Sequence, residues 1–178
     1  DSHGHCTAGI VGGNGSGNSA ARGMMPNAQL IESSVGAWAG LSRFAVIQGS
    51  VDPTGPIRAM QQTASWGSTL TLQYTSTSAD LDNALFTFDY VLTQSQSNAG
   101  ASAIPQNSRP QAWAKNVISV GGLRHQNNSN PADEVWNGAS IGPAADGRIK
   151  PEICAYYDSV LCSDLPGAAG YSTTDYYT

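Results

Sequence analysis

Helical and strand-like segments alternate along this chain, and the alternation constrains the fold more than any other feature. Residues 80–88 predict a helix with one buried face, because apolar side chains recur there at spacings of three and four: Leu81, Ala84, Leu85 and Phe88. Apolar segments at 90–95 and 116–120 predict strands in the interior of a parallel sheet. The expected fold is therefore α/β, a doubly wound, mostly parallel sheet with helices on both faces.

The rest of the chain extends the same pattern without an internal repeat or an obvious linker, so residues 1–178 are expected to belong to one domain. The other predicted elements are a helix over 1–11, a loop over 12–23, a buried strand over 28–35, a helix over 38–47 and a strand end over 63–67.

Composition argues against several classes of partner. Charged residues make up 12% of the 178 residues, about half the usual share, and the formal net charge is −5. No cluster of Lys and Arg indicates nucleic acid binding, and no apolar run approaches the roughly 20 residues of a membrane span. Gly13 and Gly15 do not begin a dinucleotide-binding motif, because Asn18 occupies the position of its third glycine. A low-charge surface rich in Ser, Thr and Gly is typical of a secreted protein.

Several segments resemble motifs of the subtilase family of serine proteases. Residues 3–10, HGHCTAGI, are similar to the family's His-Gly-Thr-x-x-Ala-Gly helix start. Residues 140–152 contain SIGP and then DGRIKPE, which resemble the family's Ser-x-Gly-Pro and Asp-Gly-Arg-Ile-Lys-Pro-Asp. Residues 22–30 and 114–121 resemble two of its structural segments. The resemblance covers almost the whole chain and implies the central part of a subtilisin-like catalytic domain, incomplete at both ends.

Two catalytic residues follow from this resemblance. His3 occupies the position of the family's catalytic histidine, although a shifted alignment would place His5 there. Asn98 occupies the position of the asparagine whose side-chain amide donates a hydrogen bond to the oxyanion. Gln96 and Ser97 stand where the family has Ala and Gly, and Ser97 would misplace the amide if that position needs a positive φ.

The resemblance also implies a groove for protein or peptide substrates. Ser65, Trp66 and Gly67 are similar to the end of the family's Asn-Ser-Trp-Gly segment, whose extended backbone pairs with the substrate, and Ala64 replaces the Asn. Gly40 is expected at one edge of this groove. The chemistry requires no cofactor. Structural calcium is common in the family, but the sequence contains no convincing cluster of calcium ligands.

The family's other two catalytic residues are expected outside the segment. The aspartate precedes the histidine helix, and the serine belongs to Gly-Thr-Ser-x-Ala-Thr-Pro, expected a few residues after Tyr177. Ser172 is a poor substitute, because no Ala-Thr-Pro follows it. The resemblance implies an extracellular serine endopeptidase, present here as a segment that is inactive without its flanking parts. The alternative is a catalytically inactive subtilase-like interaction domain, which the departures at His5, Gln96 and Ser97 favour.

Three cysteines are too few for a disulfide scaffold. Cys154 and Cys162 lie on either side of a predicted turn and are candidates for pairing in an oxidising compartment, although sequence alone does not give their geometry. Cys6 would then be the odd cysteine, expected as a buried, inert thiol.

Overall fold

The computed structural model describes residues 2–164 and 170–172. The helices and strands of this part of the chain are α1 (Ser2–Gly12), α2 (Arg43–Val51), β1 (Gln61–Ala64), α3 (Ser76–Phe88), β2 (Val91–Ser95), β3 (Ile118–Arg124), β4 (Val135–Trp136), β5 (Ile153–Tyr156), β6 (Cys162–Ser163) and β7 (Tyr171–Ser172). Within the described ranges, no helix is long and apolar enough to cross a membrane.

The chain forms two compact units. The first contains residues up to 33, residues 124–135 and the chain from 156 onward, and the second contains residues 34–123 and 136–155.

In the first unit, α1 packs against β6, and β6 pairs with β7 in antiparallel orientation. The packing leaves no room for a side chain at Gly9, because a Cβ atom there would collide with the hydroxyl of Ser163. The chain after α1 also lies close to the helix, since the Met24 N–H donates to the Ile10 oxygen at 3.0 Å and a Cβ at Gly23 would lie 2.7 Å from the Gly9 oxygen. The small residues of this stretch therefore permit close packing around α1.

The second unit contains the parallel strands. β2 lies between β1 and β3, with Thr93 paired to Thr63 on one side and to Ile118 on the other, both in parallel orientation. The strand order is β1-β2-β3-β4, and β5 also pairs with β3. The predicted α/β fold with a mostly parallel sheet is confirmed, as is the interior position of the two predicted strands.

The core of the second unit lies between the sheet and the packed helices α2 and α3. Its buried apolar residues are Ile47, Val51, Leu81, Ala84, Leu85, Tyr90, Leu92, Ala114 and Val117. The predicted apolar face of the helix over 80–88 is confirmed, with Phe88 packed at its margin. The helix begins earlier than predicted, at Ser76, where the Thr75 N–H donates to the Ser78 hydroxyl at 3.1 Å and caps the first turn.

Two predicted elements differ in the structure. Residues 28–35 form no strand and are exposed, because no neighbouring strand pairs with them within the described chain. A short apolar run does not by itself specify a strand, which needs a partner for its backbone groups. The helix predicted over 38–47 begins only at Arg43, after Gly40 (φ 81°), and the Ser42 hydroxyl caps it by accepting from the Ala45 N–H at 3.1 Å.

The DGRIKPE segment holds β3 in place. The buried Lys150 ammonium donates to the Val117 oxygen at 3.0 Å and contacts the Glu152 carboxylate. That carboxylate accepts from the Ser119 N–H and hydroxyl, both at 2.7 Å. Upstream, Arg148 donates to the Trp113 oxygen at 2.6 Å. This segment, which resembles the family's Asp-Gly-Arg-Ile-Lys-Pro-Asp, therefore has a structural role.

Candidate active site

Asn98 lies in a loop that directly follows β2 and is held on both sides. The Ser140 N–H donates to the Ser97 oxygen at 2.7 Å, and the Ala99 N–H donates to the Ser140 hydroxyl at 2.9 Å. The Gly100 N–H donates to the Gly138 oxygen at 3.0 Å. The SIGP segment thus fixes the backbone on either side of Asn98, a role that sequence comparison did not reveal for Ser140.

Backbone conformation and close contacts restrict the residues at positions 97 and 100, on either side of Asn98. Gly100 is required, because a Cβ there would lie 2.5 Å from the Ala139 oxygen and 2.7 Å from Trp136. Ser97 has φ 97°, a conformation that favours glycine, so the position does need a positive φ. The bonds from Ser140 hold the loop in this conformation despite the substitution. The structure therefore meets the condition named for Ser97, a positive φ, and hydrogen bonds to Ser140 hold the backbone on both sides of Asn98.

The Asn98 side chain is available to a ligand. It is exposed and hydrogen bonds to no other described residue. An exposed amide N–H on a fixed loop, without a partner in the described part of the chain, can donate to an oxygen atom that gains negative charge.

Ser65, Trp66 and Gly67 follow β1, and Asn98 follows the adjacent parallel strand β2. Because the carboxyl ends of parallel neighbours meet at one edge of a sheet, the two segments leave the sheet at the same edge within the second unit.

Side chains from the sheet and from residues 109–111 fix the carbonyls of this segment. The Trp66 oxygen accepts from the Gln94 amide at 3.0 Å, and the Gly67 oxygen accepts from Arg109 at 2.7 Å. A Cβ at Gly67 would lie 2.5 Å from the Gln111 amide oxygen, so this glycine is required by close approach. The N–H groups of Trp66 and Gly67 donate to no described residue, which leaves them free to pair with an extended peptide.

A groove of about 630 Å³ lies beside this segment. Its aromatic wall consists of Trp38 and Trp66, whose ring centroids are 5.2 Å apart. The Arg43 guanidinium lies 4.3 Å from the Trp66 centroid and donates to the Gln94 amide oxygen at 3.1 Å. Burial lowers the pKa of Arg43 to about 10, and the nearby Asp80 carboxylate opposes this shift. Gly40 stands between two lining residues, Ala39 and Leu41, where its positive φ turns the chain at the groove's edge.

Arg43 and Gln94 were not predicted as site residues. Both are buried polar side chains. In the structure, Gln94 occupies one of the buried positions of β2, where buried and more exposed residues alternate. The sequence does not reveal which backbone atom a buried polar side chain reaches.

His3 belongs to the first unit, where it lies half-buried in the first turn of α1. The family resemblance also implies that His3 faces the same cleft as Asn98, and this stays a prediction. His5, the alternative base, lines a small pocket of about 170 Å³ together with Leu30, Glu32 and Ser163. The side chain of Ser172, the discarded alternative nucleophile, lies outside the described residues.

No group of three or more His, Cys, Asp or Glu side chains suited to a metal ion comes together in residues 2–164 and 170–172. A calcium site is therefore not assigned.

The cysteine pairing suggested by the sequence differs in the structure. Cys6, Cys154 and Cys162 are all reduced thiols, of which Cys154 is exposed, whereas Cys162 is buried and hydrogen bonds to Cys6. The expected burial of Cys6 is confirmed.

Comparisons with known proteins agree with this fold and these motifs. The family model described as the subtilase family matches residues 1–176. No curated protein sequence matches this chain. Among solved structures, sphericase is similar, with a TM-score of 0.64 and 23% sequence identity over 98% of this chain. A psychrophilic protease named S41 is similar, with a TM-score of 0.62 and 20% identity over 98% of this chain. The prenylagaramide maturation protease PagA is also similar, with a TM-score of 0.62 and 16% sequence identity over 99% of this chain.

The chain spans 57–59% of the length of these solved structures. Identities this low indicate a shared fold, whereas the family assignment rests on the match over nearly the whole chain. The chain belongs to the subtilase family of serine proteases.

Proposed function

We propose that the full-length protein is a secreted endopeptidase that cleaves peptide bonds with an Asp/His/Ser triad. The observation that carries this proposal is the Asn98 amide, which is exposed on a loop that Ser140 fixes and has no hydrogen-bond partner among the described residues. The nearby Trp66 and Gly67 N–H groups likewise donate to no described residue. Such an arrangement can grip an extended peptide and stabilise charge on its scissile carbonyl oxygen.

In the proposed mechanism, a serine from the flanking sequence attacks the scissile carbonyl while His3 removes the serine proton. Asn98 donates to the oxyanion of the tetrahedral intermediate. His3 then gives the proton to the leaving amine, and water hydrolyses the acyl-enzyme by the same steps. An aspartate, also expected in the flanking sequence, orients His3.

Substrate binding is assigned to the Ser65–Gly67 backbone, whose Trp66 and Gly67 N–H groups pair with the peptide main chain. The groove walled by Trp38 and Trp66 receives a substrate side chain, and Gly40 forms the turn at its edge. Because main-chain contacts dominate, the substrates are proteins or peptides of varied sequence. No step requires a metal ion.

The test uses the full-length reading frame and compares Asn98→Ala with Asn83→Ala, an exposed asparagine on α3. We expect Asn98→Ala to lower kcat by about 10²–10³-fold with little change in KM, the effect of losing the corresponding donor in subtilisin, itself a subtilase. Asn83→Ala should leave kcat unchanged. Equal kcat values for the two variants would remove Asn98 from the mechanism.

A fluorophosphonate serine probe separates this proposal from an inactive interaction domain. The full-length enzyme should become labelled, and His3→Ala should abolish labelling, whereas His5→Ala should retain it. Peptide binding without labelling would instead support the interaction domain.

A further inference from the structure

Two buried cysteines on separate elements of the first unit face each other. Cys6 lies on α1, and Cys162 begins β6, the strand against which α1 packs. Both side chains are fully buried, and the Cys6 thiol donates a hydrogen bond to the Cys162 sulfur. The two sulfur atoms are therefore adjacent although the residues lie near opposite ends of the described chain.

We propose that Cys6 and Cys162 form a disulfide bond that joins α1 to β6 when the protein folds in an oxidising compartment. A disulfide needs the two Cα atoms within about 7 Å of each other, and two thiols in contact across packed elements are compatible with that separation. The proposal replaces the Cys154–Cys162 pairing suggested by the sequence, since Cys154 is exposed on β5 beside Gly121, whereas Cys162 is buried against Cys6.

The bond forms by thiol–disulfide exchange with a small-molecule disulfide such as oxidised glutathione. One protein thiolate attacks the donor, forming a mixed disulfide and releasing one reduced thiol. The second protein thiolate then attacks the mixed disulfide and releases the second thiol. The protein dithiol loses two electrons and two protons, and the donor disulfide gains them.

Burial determines when this exchange takes place. Burial and the hydrogen bond raise the pKa of Cys6 to about 12, and burial also raises the pKa of Cys162. Because the thiolate is the reacting species, exchange in the folded protein is slow. The bond is therefore expected to form during folding, before α1 covers β6.

The bond would affect the helix that carries His3. Cys6 lies one turn after His3 on α1, so a covalent link at Cys6 anchors the first turn of the helix to β6. A cross-link between distant positions in the sequence restricts the unfolded chain strongly, and its loss should lower the unfolding temperature.

The test is a peptide map of the full-length protein after refolding with reduced and oxidised glutathione. Trypsin cleaves after Arg22 and Arg148, so Cys6 lies on a peptide that ends at Arg22, whereas Cys154 and Cys162 share the peptide that begins at Ile149. We expect a cross-link between these two peptides, and Cys154→Ser should retain it. A bond within the peptide that begins at Ile149, or alkylation of Cys6 and Cys162 as free thiols, would overturn the proposal.

Thermal unfolding with and without reductant supplies a second measurement. Reduction should lower the Tm of the wild-type protein by roughly 5–10 °C. Cys6→Ala and Cys162→Ala should each lose this dependence, while Cys154→Ser keeps it. A Tm that reductant does not change in the wild-type protein would contradict the bond, whatever the variants do.

Discussion

At the scale of single residues, the surroundings of Asn98 explain how the loop tolerates departures from the family pattern. Ser97 adopts the positive φ that the family meets with glycine, and Ser140 binds the backbone on either side of Asn98. Gln96 is fully buried in place of a small alanine, and its amide atoms have no partner among the described side chains. The structure gives no physical reason for that glutamine.

Ser97→Gly should stabilise the full-length protein by about 0.5–1 kcal/mol. It relieves the strain of a side chain at positive φ, although glycine loses part of this gain through greater freedom in the unfolded chain. Ser95→Gly is the matched control, because Ser95 has extended backbone in β2 and should lose about 0.5–1 kcal/mol. Urea unfolding midpoints provide the measurement. A lower midpoint for Ser97→Gly would show that its side chain stabilises the loop.

At the scale of helices and strands, the predictions that rested on a regular spacing of apolar residues were confirmed. The apolar face of α3 and the two interior strands were correct because burial imposes a regular spacing on apolar residues. The strand predicted over residues 28–35 was wrong, because an apolar run does not reveal whether a partner strand is present. Motif positions suggested Asn98 and Ser65–Gly67 as site residues, which stays a prediction. They did not reveal the contacts of Arg43, Gln94 and Arg109, which depend on the tertiary fold.

Gly67→Ala should impair substrate binding, because its Cβ would lie 2.5 Å from the Gln111 amide oxygen and 2.7 Å from the Arg109 Cδ. Displacing these side chains shifts the segment that pairs with the peptide. We expect KM to rise about tenfold and stability to fall by about 1–3 kcal/mol. The control is Gly49→Ala in α2, where no atom obstructs a Cβ and stability should rise by about 0.5–1 kcal/mol. Unchanged KM in Gly67→Ala would exclude this segment from substrate binding.

Glu152 should make the attachment of β3 sensitive to pH. Partial burial acts to raise its pKa, but hydrogen bonds from Lys150 and Ser119 outweigh burial and hold the pKa below its usual value. Because the folded-state pKa is depressed, the stabilisation is complete above the unfolded pKa of about 4.3 and is lost as pH falls through the folded value.

Glu152→Gln should therefore cost about 1–2 kcal/mol at pH 7, a modest figure because the carboxylate is partly exposed. The difference from wild type should shrink as pH falls from 5 to 3, as urea unfolding across this range would measure. Glu32→Gln, at an exposed carboxylate without a hydrogen-bond partner among the described residues, should match wild type throughout. If Glu152→Gln lowers the free energy of unfolding by the same amount at every pH, the loss comes from altered packing of the side chain and not from its charge.

At the scale of the whole molecule, the described residues expose much apolar surface. Eighteen large apolar side chains of the described residues are exposed, and Met24, Phe86 and Ile149 are each more than 80% exposed. Strand β1 lies at the edge of its sheet, with β2 as its partner in the described part of the chain. Single exposed apolar residues are ordinary, but this number together with an open sheet edge is typical of surfaces that other segments cover.

Residues 1–178 expressed alone should therefore be less stable than the full-length protein and should bind the dye ANS. Each large apolar side chain left in water forfeits roughly 1.5–3 kcal/mol of burial, against a typical total stability of about 5–15 kcal/mol. We expect a broad urea transition, weak amide protection in β1 and no labelling by the fluorophosphonate probe. The full-length protein, measured beside it, should unfold sharply and bind little dye. A sharp transition with a protected sheet in residues 1–178 would show that this part folds without its flanking sequence, and would favour the interaction domain over the protease.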